Sequence, residues 1–239
     1  ILSIQSAVTC GLVGNSVAAP VITTLGMQPL LIDTISLAAH PGYGTIAGGP
    51  ADHAQFTAIL GALAKLHVLP KINCVVTGYL GDARQAGPIH SMIQDWQAGR
   101  DDRLYILDPV LGDNGRIYVD NKLVTEMREN LLPLANVVTP NQFELELLSG
   151  QRVRDVPSAD KAAQNLLTQY PHLNGILVTG ISHTDNSIHD RFISHTELVD
   201  MAFKKRTSGI AGGGDLLTTI FASWLASGHS FKNSFRAAS

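Results

Sequence analysis

The chain has 239 residues, enough for one large α/β domain or two small ones. Apolar residues make up 45% and charged residues 15%, against about a quarter charged in ordinary domains, so a full core and well-buried helices are expected. A net charge of −3 gives no basic surface for nucleic acid, and no apolar run has the length of a membrane span or the pattern of a signal peptide, so neither nucleic acid nor membrane is an expected partner. Cys10 and Cys74 lie far apart with no CxxC spacing, which suits reduced thiols and a cytoplasmic location.

Ile1-Leu2-Ser3-Ile4-Gln5-Ser6 reads as a first strand with a polar end. The glycine-rich turn of residues 11–16 leads into a helix through Val17, Ala18, Val21, Ile22 and Leu25, with Pro20 expected near its first turn. Residues 29–34 form a second strand, and the segments around His40-Pro41-Gly42-Tyr43-Gly44 and Gly48-Gly49-Pro50 read as a long, sparsely charged loop folded against something. Residues 52–65 are helical, 74–79 are a strand, 83–98 a helix with Ile89, Ile93 and Trp96 inward, and 104–110 a strand. Further on, residues 122–132 are helical, 136–141 run from strand to turn, 141–148 are helical, and Ser158 is the expected N-cap of a helix over 159–170. Residues 175–180 are another strand with a polar end, 187–203 give two edge strands, and a helix follows Gly212-Gly213-Gly214-Asp215 with Leu216, Leu217, Ile220, Phe221, Trp224 and Leu225 on one face. Continuous apolar strands alternating with helices predict one α/β domain with a mostly parallel sheet covered on both faces. The pattern opens inside a strand and stops inside a helix, so residues 1–239 are expected to be a single domain trimmed at both ends.

The strand ends share a chemistry. Ser6, Tyr79, Asp108, Thr139-Pro140-Asn141 and Thr179-Gly180 all follow apolar strands, and in an open parallel sheet ligands bind outside the carboxyl ends of the strands. The triple glycine before Asp215 frees the backbone at a helix start, where unpaired N–H groups and the helix dipole favour an anion. A carboxylate beside such a site has a use as a base for a hydroxyl attacking phosphate, although Asp and Gly are also ordinary capping residues. Asp108, Asp113 and Glu144 are oxygen ligands of the kind that suits Mg²⁺; each has an equally ordinary reading as a turn former or first-turn acid. No Walker A sequence and no protein-kinase glycine loop is present, so residues 212–214 are the candidate phosphate cradle.

These segments resemble the pyridoxal kinases of the ribokinase-like superfamily. The resemblance rests on Ile4-Gln5-Ser6, Val13-Gly14-Asn15-Ser16, Thr77-Gly78-Tyr79, Asp108-Pro109-Val110-Leu111-Gly112-Asp113, Ile117-Tyr118-Val119, the run from Thr139 to Gly150, and Gly212-Gly213-Gly214-Asp215. It implies a three-layer sandwich and ATP-dependent phosphorylation of the 5′-hydroxymethyl group of pyridoxal, pyridoxine and pyridoxamine. Asp215 is then the catalytic base, and the amides of Gly212, Gly213 and Gly214 form the anion hole. Asp108, Tyr118, Asn141, Thr179 and Gly214 meet the nucleotide, with Tyr118 in a flap over it. Asp113 and Glu144 serve Mg²⁺, Glu144 through water, and a monovalent cation is an optional companion. Ser6, Val13, His40, Tyr43 and Tyr79 line the vitamin pocket, and Pro41 beside His40 departs from the family pattern. A homodimer is implied only by the family habit. The rivals are a hydroxymethylpyrimidine kinase of thiamine synthesis, with the same fold and base, and a non-catalytic vitamin-binding relative.

The remaining polar residues have ordinary readings. His53, His67, His90, His172 and His195 lack metal spacing and are expected on the surface or in loops. Cys10 is expected as a small filler, Trp96 and Trp224 as core, and Lys204-Lys205-Arg206 as a solvated turn.

Overall fold

The computed structural model describes residues 1–44, 47–183, 187–205 and 211–239. In chain order its elements are β1 (Leu2–Cys10), α1 (Asn15–Thr24), β2 (Leu30–Ala39), β3 (Gly48–Pro50), α2 (His53–Lys65), β4 (Cys74–Thr77), α3 (Ala86–Gln97), β5 (Leu104–Leu107), β6 (Gly112–Asp113), β7 (Arg116–Ile117), α4 (Asn121–Glu126), β8 (Val137–Val138), α5 (Gln142–Ser149), α6 (Val156–Gln169), β9 (Gly175–Ser182), β10 (Ser187–Ser194), β11 (Leu198–Lys204), α7 (Gly213–Ala226) and α8 (Phe231–Ala238). Nine of the strands form one sheet in the order β11-β10-β9-β8-β5-β4-β1-β2-β3. The six from β9 to β2 run parallel, while β10 and β3 pair antiparallel at the flanks. β6 and β7 make a separate small hairpin.

Side-chain alternation along the strands builds two cores. Val75, Tyr105, Leu107, Val138 and Ile176 face the layer of α2 to α6, joining Phe56, Ile93, Trp96, Leu145 and Leu166. Cys74, Val76, Ile106, Val137 and Leu177 face the other way, against Phe221 of α7 and Phe235 of α8. This is the expected three-layer α/β sandwich. From β1 the chain goes to β2 on one side and then to β4 on the other, so the strand order reverses between β1 and β4. A crevice opens at the carboxyl ends of such a pair.

Several expectations change. β1 does not stop at Ser6 but continues to Cys10, because its pairing with β2 resumes after an irregularity between Gln5 and Ala7. Gly48-Gly49-Pro50 is not loop; it pairs with Ile35, Ser36 and Leu37 as an edge strand. Pro20 sits inside α1 rather than near its start. Asp155, not Ser158, caps α6: Asp155 accepts from the Ser158 N–H at 2.9 Å, and the Ser158 hydroxyl accepts from the Asp155 N–H at 3.0 Å. The predicted helix over 122–132 is α4 followed by a π turn at Met127–Leu131. Trp224 is only partly buried and packs its ring on His229, Leu216 is 40% exposed, and Cys10 is exposed rather than a filler. His90 lies on α3, partly buried, with its Nδ1 2.8 Å from the Asn130 carbonyl. Lys204 and Lys205 are exposed as expected, but Lys204 is the last residue of β11, paired with Ser187, rather than part of a turn; Arg206 lies outside the described residues. No helix among the described residues is long and apolar enough to cross a membrane.

Candidate active site

Two helix starts, α1 and α7, meet beside the crevice. Gly212, the N-cap of α7, has φ 90°, and a Cβ there would lie 1.8 Å from the Leu12 carbonyl oxygen. Only glycine lets the two turns come this close. Gly213 and Gly214 are exposed with open space around them, and the first intrahelical bond is from the Leu216 N–H to the Gly212 carbonyl at 2.9 Å. The amides at the head of α7 therefore have no acceptor within the helix and lie at its positive end.

Asp215 is in this first turn. Its carboxyl is near the backbone of Gly14, at the head of α1. Burial raises the carboxyl above its ordinary range; the Gly14 backbone and the charge of His40 pull it partly back. One helical step on, the Thr218 hydroxyl lies 2.9 Å from Asp108 Oδ2 and 3.0 Å from Thr139 Oγ1. This joins α7 to the ends of β5 and β8. Asp108 is 5% exposed and its carboxyl is pushed well upward, first by burial and then by the charges of Asp215 and Glu144.

The loop after β5 is held from α5. Glu144 takes the Leu111 N–H at 2.8 Å and the Gly112 N–H at 3.4 Å on one oxygen, and the Asn141 N–H at 2.9 Å on the other. Asn141 returns a bond from its amide to the Gly112 carbonyl at 2.8 Å and caps α5 by accepting from the Glu144 N–H at 2.9 Å. The pair is a capping box that also clamps a neighbouring loop. Between Asp108 and the clamped amides, Val110 has φ 42°, a strained position for a β-branched residue. Burial lifts the Glu144 carboxyl to about 7, outweighing its three N–H donors.

Past the clamp, Asn114 (φ 51°) and Gly115 (φ 78°) turn the β6–β7 hairpin, and Asp113 spends its carboxylate on the Asn114 N–H and side-chain amide at 2.8 and 2.9 Å. Tyr118 follows, 49% exposed, its phenol pushed upward by burial and by Glu144, Asp113, Asp108 and Asp215. Thr179, partly buried, donates its N–H to the Pro140 carbonyl at 3.0 Å and pairs with Asn141.

The residues expected to line the vitamin pocket lie on β1 (Ser6) and in the segments after β1 (Val13), β2 (His40 and Tyr43) and β4 (Tyr79). Ser6 lies at the irregularity of β1, so close to Gly14 (φ 52°) that a Cβ there would be 2.5 Å from the Ser6 hydroxyl. Val13 is buried, and Tyr79 is partly buried with its phenol raised by burial. His40 accepts from the Gly42 N–H at 3.1 Å and so caps the short turn Pro41–Tyr43; the exposed Tyr43 ring lies over Gly11.

Residues 59–239 match the phosphomethylpyrimidine kinase family. Over its full length the chain is 32% identical to a pyridoxine/pyridoxal/pyridoxamine kinase of Bordetella avium, covering 81% of that protein. The chain belongs to the pyridoxal kinase family. A pyridoxal kinase of Granulibacter bethesdensis is 37% identical over 186 residues, 76% of this chain; the match spans less than two thirds of that relative, 64%. The fold is also similar to the solved structure of Leishmania donovani pyridoxal kinase in complex with ADP and pyridoxamine, with a TM-score of 0.91 at 28% identity, over 99% of this chain and 82% of that one.

Of the site residues expected from the sequence, Tyr79, Asp108, Thr139 and Asn141 follow the parallel strands β4, β5 and β8, and Thr179 lies within β9. Reading from sequence missed Thr218, which follows Asp215 by three and so shares its helix face. It also missed the buried polar side chains of Ser3, Gln5 and Asn15; Ser3 and Gln5 alternate with Leu2 and Ile4 in a strand and so carried a signal, whereas Asn15, between Gly14 and Ser16, did not.

Proposed function

We propose that the chain transfers the γ-phosphate of ATP to the 5′-hydroxymethyl group of pyridoxal, pyridoxine and pyridoxamine. The observation that carries this is Asp215, a partly buried carboxylate with a raised pKa at the open, positive end of α7. In this reading Asp215 takes the hydroxyl proton as the oxygen bonds to the γ-phosphorus. The bond from phosphorus to the bridging oxygen breaks, and its electrons leave with ADP. The Gly212, Gly213 and Gly214 turn aims its amides at the developing charge, a contribution of about 3 kcal/mol per donor by analogy with other anion holes.

Ser6, Val13, His40, Tyr43 and Tyr79 form the vitamin pocket, and Asp108, Asn141, Thr179 and Tyr118 the nucleotide side. Among the described residues no three His, Cys, Asp or Glu side chains come close enough to hold a metal alone. The donor set nonetheless fits Mg²⁺, which keeps its waters and binds through one or two carboxylates plus substrate phosphates. Asp113 and Glu144 would hold it, Glu144 through water since its oxygens already serve three amides. When bound, the ion would offset phosphate charge; a monovalent cation is a further cofactor of this reading. We also read residues 1–239 as one kinase domain, acting as a cytoplasmic homodimer.

The family match over residues 59–239 favours one second reading, phosphorylation of hydroxymethylpyrimidine. Phosphate transfer to pyridoxal, pyridoxine, pyridoxamine and hydroxymethylpyrimidine, assayed beside Asp215→Ala, separates the two. Turnover of pyridoxal that falls on the order of 10²–10⁴-fold in the variant is expected. No turnover of any vitamer, or an undiminished variant, would sink the proposal.

A further inference from the structure

The pairing of β1 with β2 is uneven at its middle. Gln5 pairs with Asp33 and Ala7 with Ser36, so one residue of β1, Ser6, stands opposite two of β2, Thr34 and Ile35. An extra residue in one strand disrupts the ladder locally and re-aims what that strand carries. Thr34 is fully buried, and its groups are spent outside the β1–β2 pair. Its hydroxyl donates to the Tyr79 carbonyl at 2.6 Å. Its carbonyl accepts from the Ala51 N–H at 3.0 Å and from the side-chain amide of Gln85 at 2.7 Å.

Gln85 is the other half of the tie. It is also fully buried, in the short turn that leads into α3, and its side-chain oxygen accepts from the Gly81 N–H at 3.0 Å and the Asp82 N–H at 3.3 Å. Gly81 comes so near β2 that a Cβ there would lie 2.9 Å from the Thr34 carbonyl oxygen. Residues 79–82 therefore reach past β1, which lies between β4 and β2 in the sheet, and are fastened to Thr34. Buried polar side chains are costly unless paired, and Val and Met would fill the same space without that demand. What these bonds fix is the peptide of Tyr79 itself.

We infer that Thr34 and Gln85 are positioning residues that fix Tyr79 and, through it, the affinity for the vitamin. The inference rests on the proposed place of Tyr79 in the vitamin pocket. Both side chains are 0% exposed, so neither touches substrate, and they act through the backbone of residues 79–82. None of the bonds described above involves Asp108, Asn141, Thr179 or Tyr118, the proposed nucleotide side, so their loss should be felt by the vitamin and not by ATP.

Thr34→Val keeps the shape and removes the hydroxyl, whereas Thr34→Ser keeps the hydroxyl. Tyrosine-ring NMR of the free protein, with the Tyr79 signals assigned from a Tyr79→Phe sample, reports the placement of Tyr79 without turnover. In Thr34→Val those signals should move, and KM for pyridoxal should rise on the order of 10-fold, the scale of one neutral hydrogen bond, with KM for ATP unchanged. Thr34→Ser should bring both readouts back toward wild type. Gln85→Met should act in the same direction as Thr34→Val and decides the matter if that variant fails to fold. Tyr79 signals that stay in place in the folded variants overturn the inference, even if melting temperatures drop. So does a KM for pyridoxal that stays unchanged, or that rises no more than the KM for ATP, the mark of a general loosening. Moved Tyr79 signals in a protein whose wild type never phosphorylates pyridoxal would retain the positioning and overturn the functional reading instead.

Discussion

Glu144→Gln tests the clamp between α5 and the loop after β5. The carboxyl is 3% exposed, and burial sets it at about 7 in the fold against an ordinary 4.5. The folded protein therefore keeps this proton to a higher pH than the unfolded chain does. Well below 4.5 both states are protonated and Glu144 contributes no penalty. As pH rises from 4.5 through 7, the unfolded chain ionises first and stability is lost. At about 1.4 kcal/mol per pKa unit, the full loss is about 3 kcal/mol. Asp108 and Asp215 are raised too and tilt stability in the same direction, so the decisive quantity is the difference between variant and wild type. Gln cannot ionise, and its amide nitrogen cannot accept from one of the three backbone donors, which costs about 1–3 kcal/mol at any pH. Urea unfolding in chelator, at several points from about pH 5 to about pH 8, should show the variant gaining about 2–3 kcal/mol relative to wild type over that range. Parallel stability curves would refute the account of Glu144 as a carboxyl whose burial outweighs its hydrogen bonds.

Three other substitutions probe separate links. Gly212→Ala forces a methyl toward the Leu12 oxygen at a backbone φ of 90°, and should lose more than about 2 kcal/mol in urea unfolding; a loss under about 0.5 kcal/mol would contradict the close approach of α1 and α7. Thr218→Val leaves buried Asp108 without its hydroxyl partner and should cost about 1–3 kcal/mol by thermal denaturation at neutral pH, an unchanged midpoint arguing that the Thr218 contact is idle. Asp155→Ala removes the α6 cap, far from the crevice, and should cost about 1 kcal/mol while leaving turnover intact; a fall in turnover would mean that α6 reaches the site.

The parallel core was legible because its strands are unbroken apolar runs, such as Cys74-Val75-Val76 and Leu104-Tyr105-Ile106-Leu107, and Pro109 marked where one of them ended. Glycine next to Asp215 marked the helix head for the same elementary reason, the need for free backbone near an anion. What escaped depends on partners distant in sequence. Ser6 reads as a strand end, but β2 takes up the pairing again at Ala7, so the strand outlasts its polar residue. Gly48-Gly49-Pro50 has no strand propensity and becomes one only because β2 offers an open edge. The cap of α6 was a local miss: Pro157 fits the first turn of a helix, which puts the start before it and leaves Asp155 as the cap. The role of Glu144 as a clamp could not be read locally, since two of its three donors lie in the loop after β5.

The lock between Gly212 and the Leu12 carbonyl also has a bearing on how the molecule comes into being. Its two sides are 200 residues apart in the chain, with every strand from β2 to β11 between them, so local turns cannot bring them together. During synthesis β1, β2 and β4 emerge early, while Asp215 follows β11 in the chain. In the proposed reading, a half-made chain builds the pocket's floor before it has its base, and reactivity is acquired late.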